Sequence, residues 1–463
     1  MIDARRAEVV GRIGAALGPE AQLHLVGGAL RDLLLGRSGG DWDLATALDP
    51  REVMARAKAA HLRSLPTGLQ HGTVTILVEG EPYEVTSFRG DGPYLDGRRP
   101  IEVRLGVSLE EDLARRDFTI NALALPVEAL AEKAWRTALV DPFGGQADLA
   151  LGLIRAVGDP QVRFAEDGLR PLRACRFAAQ LGFRVEDATE AAIPRRLEVA
   201  RRVAVERVFV ELGKLLVARA PSEGLELLAR TGLLDLWLPE LRPLVDCPQG
   251  LPHRWDVWRH TLALMAHLRP EPALRWAALF HDAGKPRKRT VDDGGRIRFL
   301  GHEAVSLEIA QTVLVRLKAP KALQGQVQAL VRHHGTHPEP SWSDGACRRF
   351  LARLADDGLA LADWSAFRRA DQLARGGDPG PVEAEHTAIL TRLEGLAAQR
   401  PPLAAAHLAL DGRALMALAG RSGGPWLGAL QRHLLDQVLE DPRRNEPAWL
   451  EGEARVWLAG APE

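Results

Sequence analysis

The stretch LHLVGGALRDLLLGRSGGDWDLAT, residues 23–46, holds in close succession the patterns of a strand, a turn, a helix and a second strand. Its first four residues, three of them apolar, predict a short buried strand, and the two glycines that follow predict a turn. Residues 29–36 show the helical spacing of apolar side chains, and Gly36 ends that helix. Residues 41–46 predict a strand on which Asp41 and Asp43 share one face, because side chains alternate along a strand.

The flanking sequence extends this pattern into a small α/β head. Residues 4–18 and 50–60 have helical spacing, and residues 73–88 predict a hairpin that turns at Glu79-Gly80. The order β-α-β-α-β-β indicates a mixed sheet, whereas amphipathic helices dominate beyond about residue 108. We therefore predict an α+β chain with four regions: a head over 1–150, a helical neck over 151–245, a helical body over 246–378 and a helical tail over 379–463.

Composition excludes several classes of protein. The chain has 463 residues, 46% of them hydrophobic, and a formal net charge of −1, so it is neither disordered nor rich in positive charge. Any RNA partner would be held by local basic patches. The three cysteines are scattered, which excludes a disulfide framework and fits a reducing cytosol. Charges run through the N-terminal segment and no 18-residue apolar run occurs, so we expect a cytoplasmic protein without a membrane partner.

The acidic residues of the head suit nucleotidyl transfer. Two carboxylates on one face, just after a Gly-Gly turn, can hold two Mg²⁺ ions against a triphosphate and a 3′-hydroxyl. Glu84 on the second hairpin strand would add a third carboxylate, and Arg31 would add a cation beside glycines that let phosphates approach. Each motif alone also occurs in solvated strand ends and ordinary turns, but their combination in this order favours the catalytic interpretation.

These motifs resemble the signature of the class II tRNA nucleotidyltransferases, which comprise the CCA-adding enzymes and their relatives the bacterial poly(A) polymerases. The likeness continues through HGTVTI (71–76), YEVTSFR (83–89), YLDGRRP (94–100), EEDLARRDFTINALAL (110–125), DPFGGQADL (141–149), IRAVGDPQVRFAEDGLRPLRACRFAAQLGF (154–183) and VERVFVELGKLL (205–216). The resemblance implies a polymerase-β-like head, a helical neck, and a body and tail that bind tRNA. It assigns Mg²⁺ binding to Asp41 and Asp43, and nucleotide binding to Gly28, Arg31 and Arg116, with Asp117 and Asn121 in the same motif.

Four charged residues at a spacing of three, Asp167, Arg170, Arg173 and Arg176, form one stripe on a predicted helix. A solvated, salt-bridged helix shows the same stripe. The chemistry of the bases favours another interpretation, because cytosine and adenine both present an amino donor beside a ring-nitrogen acceptor. An ionised Asp accepts and an Arg donates, so Asp167 and Arg170 match these two bases and oppose uracil and guanine. The resemblance implies this mode of selection and places Arg173 and Arg176 in the nucleotide pocket.

We therefore expect template-independent addition of CCA to tRNA 3′ ends from CTP and ATP, with release of pyrophosphate. Asp96, Arg98 and Arg99 match a loop element that CC-only enzymes tend to lack, which argues against CC-only addition. An enzyme that adds only A remains an alternative. A poly(A) polymerase is disfavoured, since its extended basic signature is not found near residue 71.

The body carries a second set of candidate ligands. His260, His281, Asp282 and Asp371 are spaced like the HD superfamily of metal-dependent phosphohydrolases, with His302, His333 and His334 as flanking members. These side chains suit one or two divalent ions, Mn²⁺, Ni²⁺ or Mg²⁺, which would activate water on a phosphoester. The alternative is a helical spacer that has lost its metal. For the whole chain, an HD phosphohydrolase with a degenerate head is disfavoured by the intact Asp-x-Asp, and a silent RNA-binding protein requires every active-site match to be idle. Residues 410–452 resemble the family's tail, which suits contact with tRNA.

Overall fold

The computed structural model describes residues 3–37, 40–91, 103–250 and 254–460. The chain divides into two compact units, residues 1–239 and 240–463. The finer division into head, neck, body and tail at residues 150, 245 and 378 stays a prediction. None of the described helices combines the length and the apolar character that a membrane crossing requires.

The head is built on a six-stranded sheet in the order β3-β4-β5-β2-β1-β8. The strands of the head are β1 His24–Val26, β2 Leu44–Thr46, β3 Arg63–Gly68, β4 Thr73–Val78, β5 Glu81–Ser87, β6 Arg89–Asp91, β7 Val103–Leu105 and β8 Ala124–Pro126. The helices of the head are α1 Ala4–Leu17, α2 Gly27–Leu34, α3 Pro50–Ala59, α4 Leu109–Ala114 and α5 Gly145–Leu151. β2 and β5 pair in parallel and the other neighbours in this sheet are antiparallel, so the predicted mixed sheet is confirmed.

The hairpin of β4 and β5 turns where the sequence predicted. Glu79 and Gly80 have φ values of 56° and 85°, the left-handed conformation that a two-residue hairpin turn requires. Strand β3, which extends the sheet beyond this hairpin, was not predicted, because its residues are mostly exposed or half-buried and lack an apolar alternation.

Two details of the predicted head are wrong. Gly27 and Gly28 do not form a separate turn but begin α2, and Gly27 has φ +71°, so the chain passes directly from β1 into the helix. Strand β2 begins only at Leu44, so Asp41 and Asp43 lie in the segment that leads into the strand. The backbone of Asp43 still pairs with the sheet, since its carbonyl accepts a hydrogen bond from Val26 N–H at 3.0 Å.

The rest of the first unit is helical, apart from a short parallel pair of strands, β9 Leu153–Ile154 and β10 Arg184–Val185. Its helices are α6 Pro160–Glu166, α7 Arg170–Leu181, α8 Asp187–Ala192, α9 Leu197–Ala200, α10 Val205–Leu216, α11 Pro221–Arg230 and α12 Leu233–Trp237. Helix α7 packs against α10 and α11. A Cβ on Gly224 would lie 2.6 Å from the carbonyl oxygen of Cys175, so glycine allows the close approach of α11 to α7.

The second unit is also helical, with one small hairpin of β11 Thr290–Val291 and β12 Ile297–Arg298. Its helices are α13 Val257–His267, α14 Pro272–Phe280, α15 Lys285–Lys288, α16 His302–Arg316, α17 Lys321–His333, α18 Asp344–Asp356, α19 Leu361–Ala374, α20 Pro379–Ala398, α21 Gly412–Ala419, α22 Pro425–Glu440 and α23 Pro447–Gly460. A Cβ on Gly284 would lie 2.3 Å from the carbonyl oxygen of His302. Glycine at this position therefore brings the start of α16 against the His281-Asp282 segment.

Candidate functional site

A cleft of about 650 Å³ lies in the first unit between the head sheet and the start of α7. Its lining includes nine of the predicted site residues, namely Gly28, Arg31, Asp43, Glu84, Arg116, Asp167, Arg170, Arg173 and Arg176. Asp41 does not line the cleft, but its charge acts on Asp43. Apart from Asp41, one cleft thus brings together the residues predicted to contact the metal, the phosphates and the base.

The acidic end of the cleft is made by two neighbouring strands. The parallel register pairs Leu44 of β2 with Val85 of β5, which places the preceding residues, Asp43 and Glu84, side by side. The pKa of Asp43 is raised, chiefly because surrounding protein atoms displace water, and further because Glu84 and Asp41 repel its charge. Carboxylates that repel one another at the edge of a cleft are stabilised by a divalent cation, so these residues fit Mg²⁺.

Gly27 leaves open space between the carboxylate of Asp43 and the guanidinium of Arg116. A Cβ at Gly27 would lie 3.1 Å from Nη1 of Arg116 and 3.8 Å from Oδ2 of Asp43. Any side chain would therefore fill the space between the guanidinium and the carboxylate. This arrangement permits a phosphate to approach the backbone between them.

A chain of hydrogen bonds links the phosphate side of the cleft to the arginines of α7. Arg31 Nη1 donates to Asn121 Oδ1 at 2.8 Å, and Asn121 Nδ2 donates to Asp117 Oδ1 at 3.0 Å. Arg173 Nε donates to the other oxygen of Asp117 at 2.7 Å. Burial alone would raise the pKa of Asp117, but the charge of Arg173 and these hydrogen bonds outweigh it and lower the pKa to about 2. Asp117 is therefore a permanent negative charge that orients Arg173.

Phe177 is a site residue that the sequence analysis missed. The guanidinium carbons of Arg31, Arg173 and Arg176 lie 5.1, 5.4 and 3.9 Å from the centroid of its ring. The ring is buried and lines the cleft. Its position next to Arg176 in the sequence was the available signal, but a lone Phe on an amphipathic helix is usually a core residue.

Asp167 does not lie on the helix that carries the three arginines, so the predicted stripe is wrong at its first member. α6 ends at Glu166 and α7 begins at Arg170, which leaves Asp167 in the extended connection. Its Oδ1 accepts a hydrogen bond from Leu169 N–H at 3.0 Å, and its Oδ2 accepts one from Arg207 Nη2 at 2.9 Å. Arg207 of α10 lies in the family motif at 205–216, but the sequence did not predict it as a site residue.

Arg170, the proposed partner of Asp167 in base selection, is held by different groups. Its guanidinium donates to the carbonyl oxygens of Arg163 and Arg115, each at 2.8 Å, and to the carboxylate of Glu166. Arg170 and Asp167 both line the cleft. The structure thus provides one acceptor and one donor with separate supports.

Among the described residues of the second unit are two groups of metal-ligand side chains. His260, His281 and Asp371 form one group, and Asp282, His302 and His334 form the other, with the candidate ligand atoms of each group within 4.8 Å of one another. All four predicted ligands are thus brought together, and two of the flanking histidines join them. His333 does not, because its Nε2 lies 2.6 Å from Asp357 Oδ2.

The histidines around Asp282 are oriented as metal ligands. The Nδ1 atoms of His281, His302 and His334 lie 2.8, 2.9 and 2.6 Å from backbone carbonyl oxygens, which can only accept, so each Nδ1 carries the proton. The unprotonated Nε2 atoms then face the carboxylate of Asp282 at 3.1, 3.2 and 3.7 Å. Lone pairs that face a carboxylate require a cation or a proton between them, so these residues fit a divalent metal.

The chain is similar over most of its length to known proteins. The chain is 34% identical over 440 residues to the CCA-adding enzyme of Geobacillus thermodenitrificans, which covers 94% of each chain. The chain belongs to the CCA-adding enzyme family. This membership confirms the family that the sequence motifs indicated, and with it a nucleotidyltransferase.

Relatives of this chain are named for different products, CCA or CC. The chain is 38% identical over 429 residues to the CC-adding tRNA nucleotidyltransferase of Thermus thermophilus, covering 90% of this chain and 89% of that one. The crystal structure of the Bacillus stearothermophilus CCA-adding enzyme in complex with CTP matches 99% of this chain and 100% of that one, with a TM-score of 0.72 and 29% identity. The predicted fold class is thereby confirmed.

Three family models match parts of the chain that contain the site residues described above. The poly A polymerase head domain matches residues 23–155, which include the acidic end of the cleft. A model described as the probable RNA and SrmB-binding site of polymerase A matches residues 182–244, which include Arg207. The HD domain model matches residues 252–372, which include both groups of metal-ligand side chains.

Proposed function

We propose that the protein adds the sequence CCA to the 3′ end of tRNA, using CTP and ATP and releasing pyrophosphate. The observation that carries this proposal is the single cleft in which a paired carboxylate, a glycine-lined phosphate space and a base-reading acceptor and donor converge. Membership of the CCA-adding enzyme family supports the same reaction. A tRNA substrate implies a cytoplasmic location, which stays a prediction.

The reaction is an in-line displacement at the α-phosphate of the incoming nucleotide. Asp41, Asp43 and Glu84 would hold Mg²⁺, which when bound lowers the pKa of the ribose 3′-hydroxyl and neutralises charge on the pyrophosphate. Arg31 and Arg116 bind the triphosphate beside the glycine-lined space. The 3′-hydroxyl of the tRNA gives up its proton to solvent, and its oxygen forms a new bond to the α-phosphorus. The bond between that phosphorus and the oxygen that bridges to the β-phosphorus breaks, so that pyrophosphate leaves.

Base choice is made by protein side chains. Asp167 accepts a hydrogen bond from the exocyclic amino group of cytosine or adenine, and Arg170 donates to the adjacent ring nitrogen. Uracil and guanine present the opposite pattern and leave both protein groups unpaired, at a cost of about 1–3 kcal/mol each. Arg173 and Arg176 line the nucleotide pocket.

Three other products are compatible with the same head chemistry: A alone, CC alone and a long A tail. The relative from Thermus thermophilus is named as a CC-adding enzyme, so products must be measured rather than inferred from identity alone. Asp96, Arg98 and Arg99, which argue against CC-only addition, lie outside the described residues.

The test uses the purified full-length chain, Mg²⁺ and three tRNA transcripts that end before CCA, after CC and after CCA. Each transcript receives CTP, ATP, both, or UTP with GTP, and products are resolved to single nucleotides. We expect C, C and A on the shortest transcript and then a stop. Addition of A only to the CC-ended transcript would identify an A-adding enzyme, a stop after CC would identify a CC-adding enzyme, and long A tails would identify a poly(A) polymerase.

We also propose a phosphoester-hydrolysing metal centre in the second unit. The two groups of ligands share the neighbourhood of Asp282, whose Oδ1 lies 3.2 Å from His302 and whose Oδ2 lies 3.1 Å from His281. A cleft of about 490 Å³ beside them is lined by cationic side chains, which suit a phosphate: Lys285, Arg296, Arg298 and Arg375. Mn²⁺, Ni²⁺ and Mg²⁺ are the candidate ions. Metal-dependent hydrolysis of phosphate esters that survives Asp43→Ala but not His281→Ala is the expected result; no hydrolysis with any of the three ions would contradict the proposal.

A further inference from the structure

Base reading by an acceptor and a donor requires that the two groups do not pair with each other. Asp167 and Arg170 carry opposite charges, are three positions apart and line the same cleft. A carboxylate and a guanidinium that line one cleft can form an ion pair with each other. Such a pair would occupy both groups and leave neither for a base.

The structure separates them by giving each its own partner. Arg207 Nη2 lies 2.9 Å from Asp167 Oδ2, while Leu169 N–H binds the other oxygen at 3.0 Å. These two bonds come from α10 and from the start of α7, and together they fix the plane of the carboxylate. A carboxylate has about four lone-pair positions, so two remain for the amino group of a base.

The backbone at Asp167 is itself held in place, which leaves side-chain rotation as the remaining freedom. A Cβ on Gly168 would lie 2.5 Å from the carbonyl oxygen of Val199, so this connection packs directly against α9. The Arg207 side chain is 34% exposed and lines the cleft. It is the side chain that holds the Asp167 carboxylate, alongside the backbone N–H of Leu169.

We propose that Arg207 is a positioning residue for base selection, which keeps the Asp167 carboxylate turned away from Arg170. This inference rests on the proposed reading of cytosine and adenine by Asp167 and Arg170. Without Arg207, the Asp167 carboxylate would rotate to Arg170, and the acceptor and donor would cancel. Selectivity among bases would then fall, while binding of the triphosphate part, which uses other residues, would be kept.

The experiment compares wild-type protein with Arg207→Ala, Arg207→Lys and Asp167→Ala. Lys214→Ala is the matched control, because Lys214 is an exposed cation on the same helix α10. Equilibrium binding of CTP, ATP, UTP and GTP to the full chain with Mg²⁺ gives the ratio of Kd for UTP over CTP and for GTP over ATP. Incorporation of each nucleotide into saturating tRNA gives the corresponding ratios of kcat/KM.

We expect both ratios to fall about tenfold in Arg207→Ala, to recover in large part in Arg207→Lys, and to be unchanged in Lys214→Ala. Unchanged ratios in Arg207→Ala, with lower ratios in Asp167→Ala, would overturn the role of Arg207 and leave the base reading intact. Equal weakening of all four nucleotides in Arg207→Ala would also overturn it, since that result indicates a phosphate contact or loss of structure.

Two further outcomes separate this inference from the function on which it rests. If neither Asp167→Ala nor Arg207→Ala changes the ratios, both the base reading and the role of Arg207 are wrong, even when the wild type adds CCA. If the wild type adds no CCA, the proposed reaction is wrong, while the binding ratios still test Arg207. Should Arg207→Ala fail to fold, Arg207→Met keeps the length of the side chain without a hydrogen-bond donor, and wild-type ratios in that variant would overturn the proposal.

Discussion

Asp43 and Glu84 lie side by side. Asp43 directly precedes β2, Glu84 lies in β5, and these two strands pair in parallel with Leu44 opposite Val85. Parallel pairing brings two distant segments to the same edge of the sheet in the same direction. Burial is the main cause of the raised pKa of Asp43, and repulsion by the neighbouring Glu84 and by Asp41 adds to it. A carboxylate pair of this kind is poised to bind a cation.

Removing either charge should abolish most nucleotide addition. We expect Asp43→Asn and Glu84→Gln each to lower kcat for CCA addition by about a hundredfold or more, since each loses a negative charge for Mg²⁺ at unchanged shape. Affinity for tRNA should be kept. The control is Glu81→Gln. Glu81 is an exposed acid on the same strand β5, but it lies on the opposite face of the sheet from Glu84. A rate near wild type in Asp43→Asn would show that the metal is held elsewhere.

Asp167→Ala should relax base selection. Loss of the acceptor removes the penalty that uracil and guanine meet, so incorporation of UTP and GTP should rise relative to CTP and ATP by the equivalent of about 1–3 kcal/mol. The measurement is the ratio of kcat/KM values with saturating tRNA. Asp187→Ala, which removes a fully exposed acid from α8, should leave the ratio unchanged.

His333, the last residue of α17, and His334, which follows it, should differ sharply in metal binding. We expect His334→Ala to weaken binding of Mn²⁺ to the second unit by at least about tenfold, because His334 belongs to the group around Asp282. His333→Ala should bind Mn²⁺ as the wild type does, since His333 pairs with Asp357 instead. Titration calorimetry on the metal-free full chain measures both. Equal effects of the two substitutions would contradict the assignment.

Asp117 should make the first unit sensitive to acid. Its pKa is about 2 in the folded protein, against an ordinary value of 3.8, chiefly because Arg173 overcomes the effect of burial. A carboxyl group whose pKa is lower in the folded than in the unfolded state stabilises the fold at pH values above its ordinary pKa. That contribution is lost as the pH falls from about 4 to about 2. The loss amounts to about 2 kcal/mol.

The free energy of unfolding of the wild type minus that of Asp117→Asn isolates this contribution, since the other carboxylates are common to both proteins. Urea titrations between pH 2 and pH 6 should give a difference that is largest above pH 4 and shrinks below it. A difference that stays constant over this range would show that Asp117 keeps an ordinary pKa.

Phe177 should strengthen nucleotide binding by holding the guanidinium groups around it. In Phe177→Leu the three arginines lose a shared aromatic face, worth about 0.5–1 kcal/mol for each contact, so KM for CTP and ATP should rise several-fold. Phe164→Leu removes a buried ring of α6 in the same part of the chain and controls for loss of packing. An equal rise of KM in both variants would assign the effect to packing alone.

The helices and hairpin of the head could be predicted from the sequence because their signals are local. Alternating apolar residues and the Glu79-Gly80 turn define β4 and β5, and helical spacing defines α1 and α3. Strand β3 could not be predicted in this way, since its side chains are largely exposed and its stability comes from pairing with β4. Pairing partners are chosen by the fold and leave no pattern in a single strand.

Residue types and motif spacing specify which chemical groups are available to the site: the acids of the Asp-x-Asp motif, the arginines of α7 and the histidines of the body. Which of these groups meet depends on how the chain packs. Packing places Glu84 beside Asp43 through strand register, three guanidiniums on Phe177, His334 rather than His333 next to Asp282, and Arg207 on Asp167. The physical reason is that residue type fixes what a side chain can donate, accept or ligate, whereas contact depends on chain segments far apart in sequence being packed together.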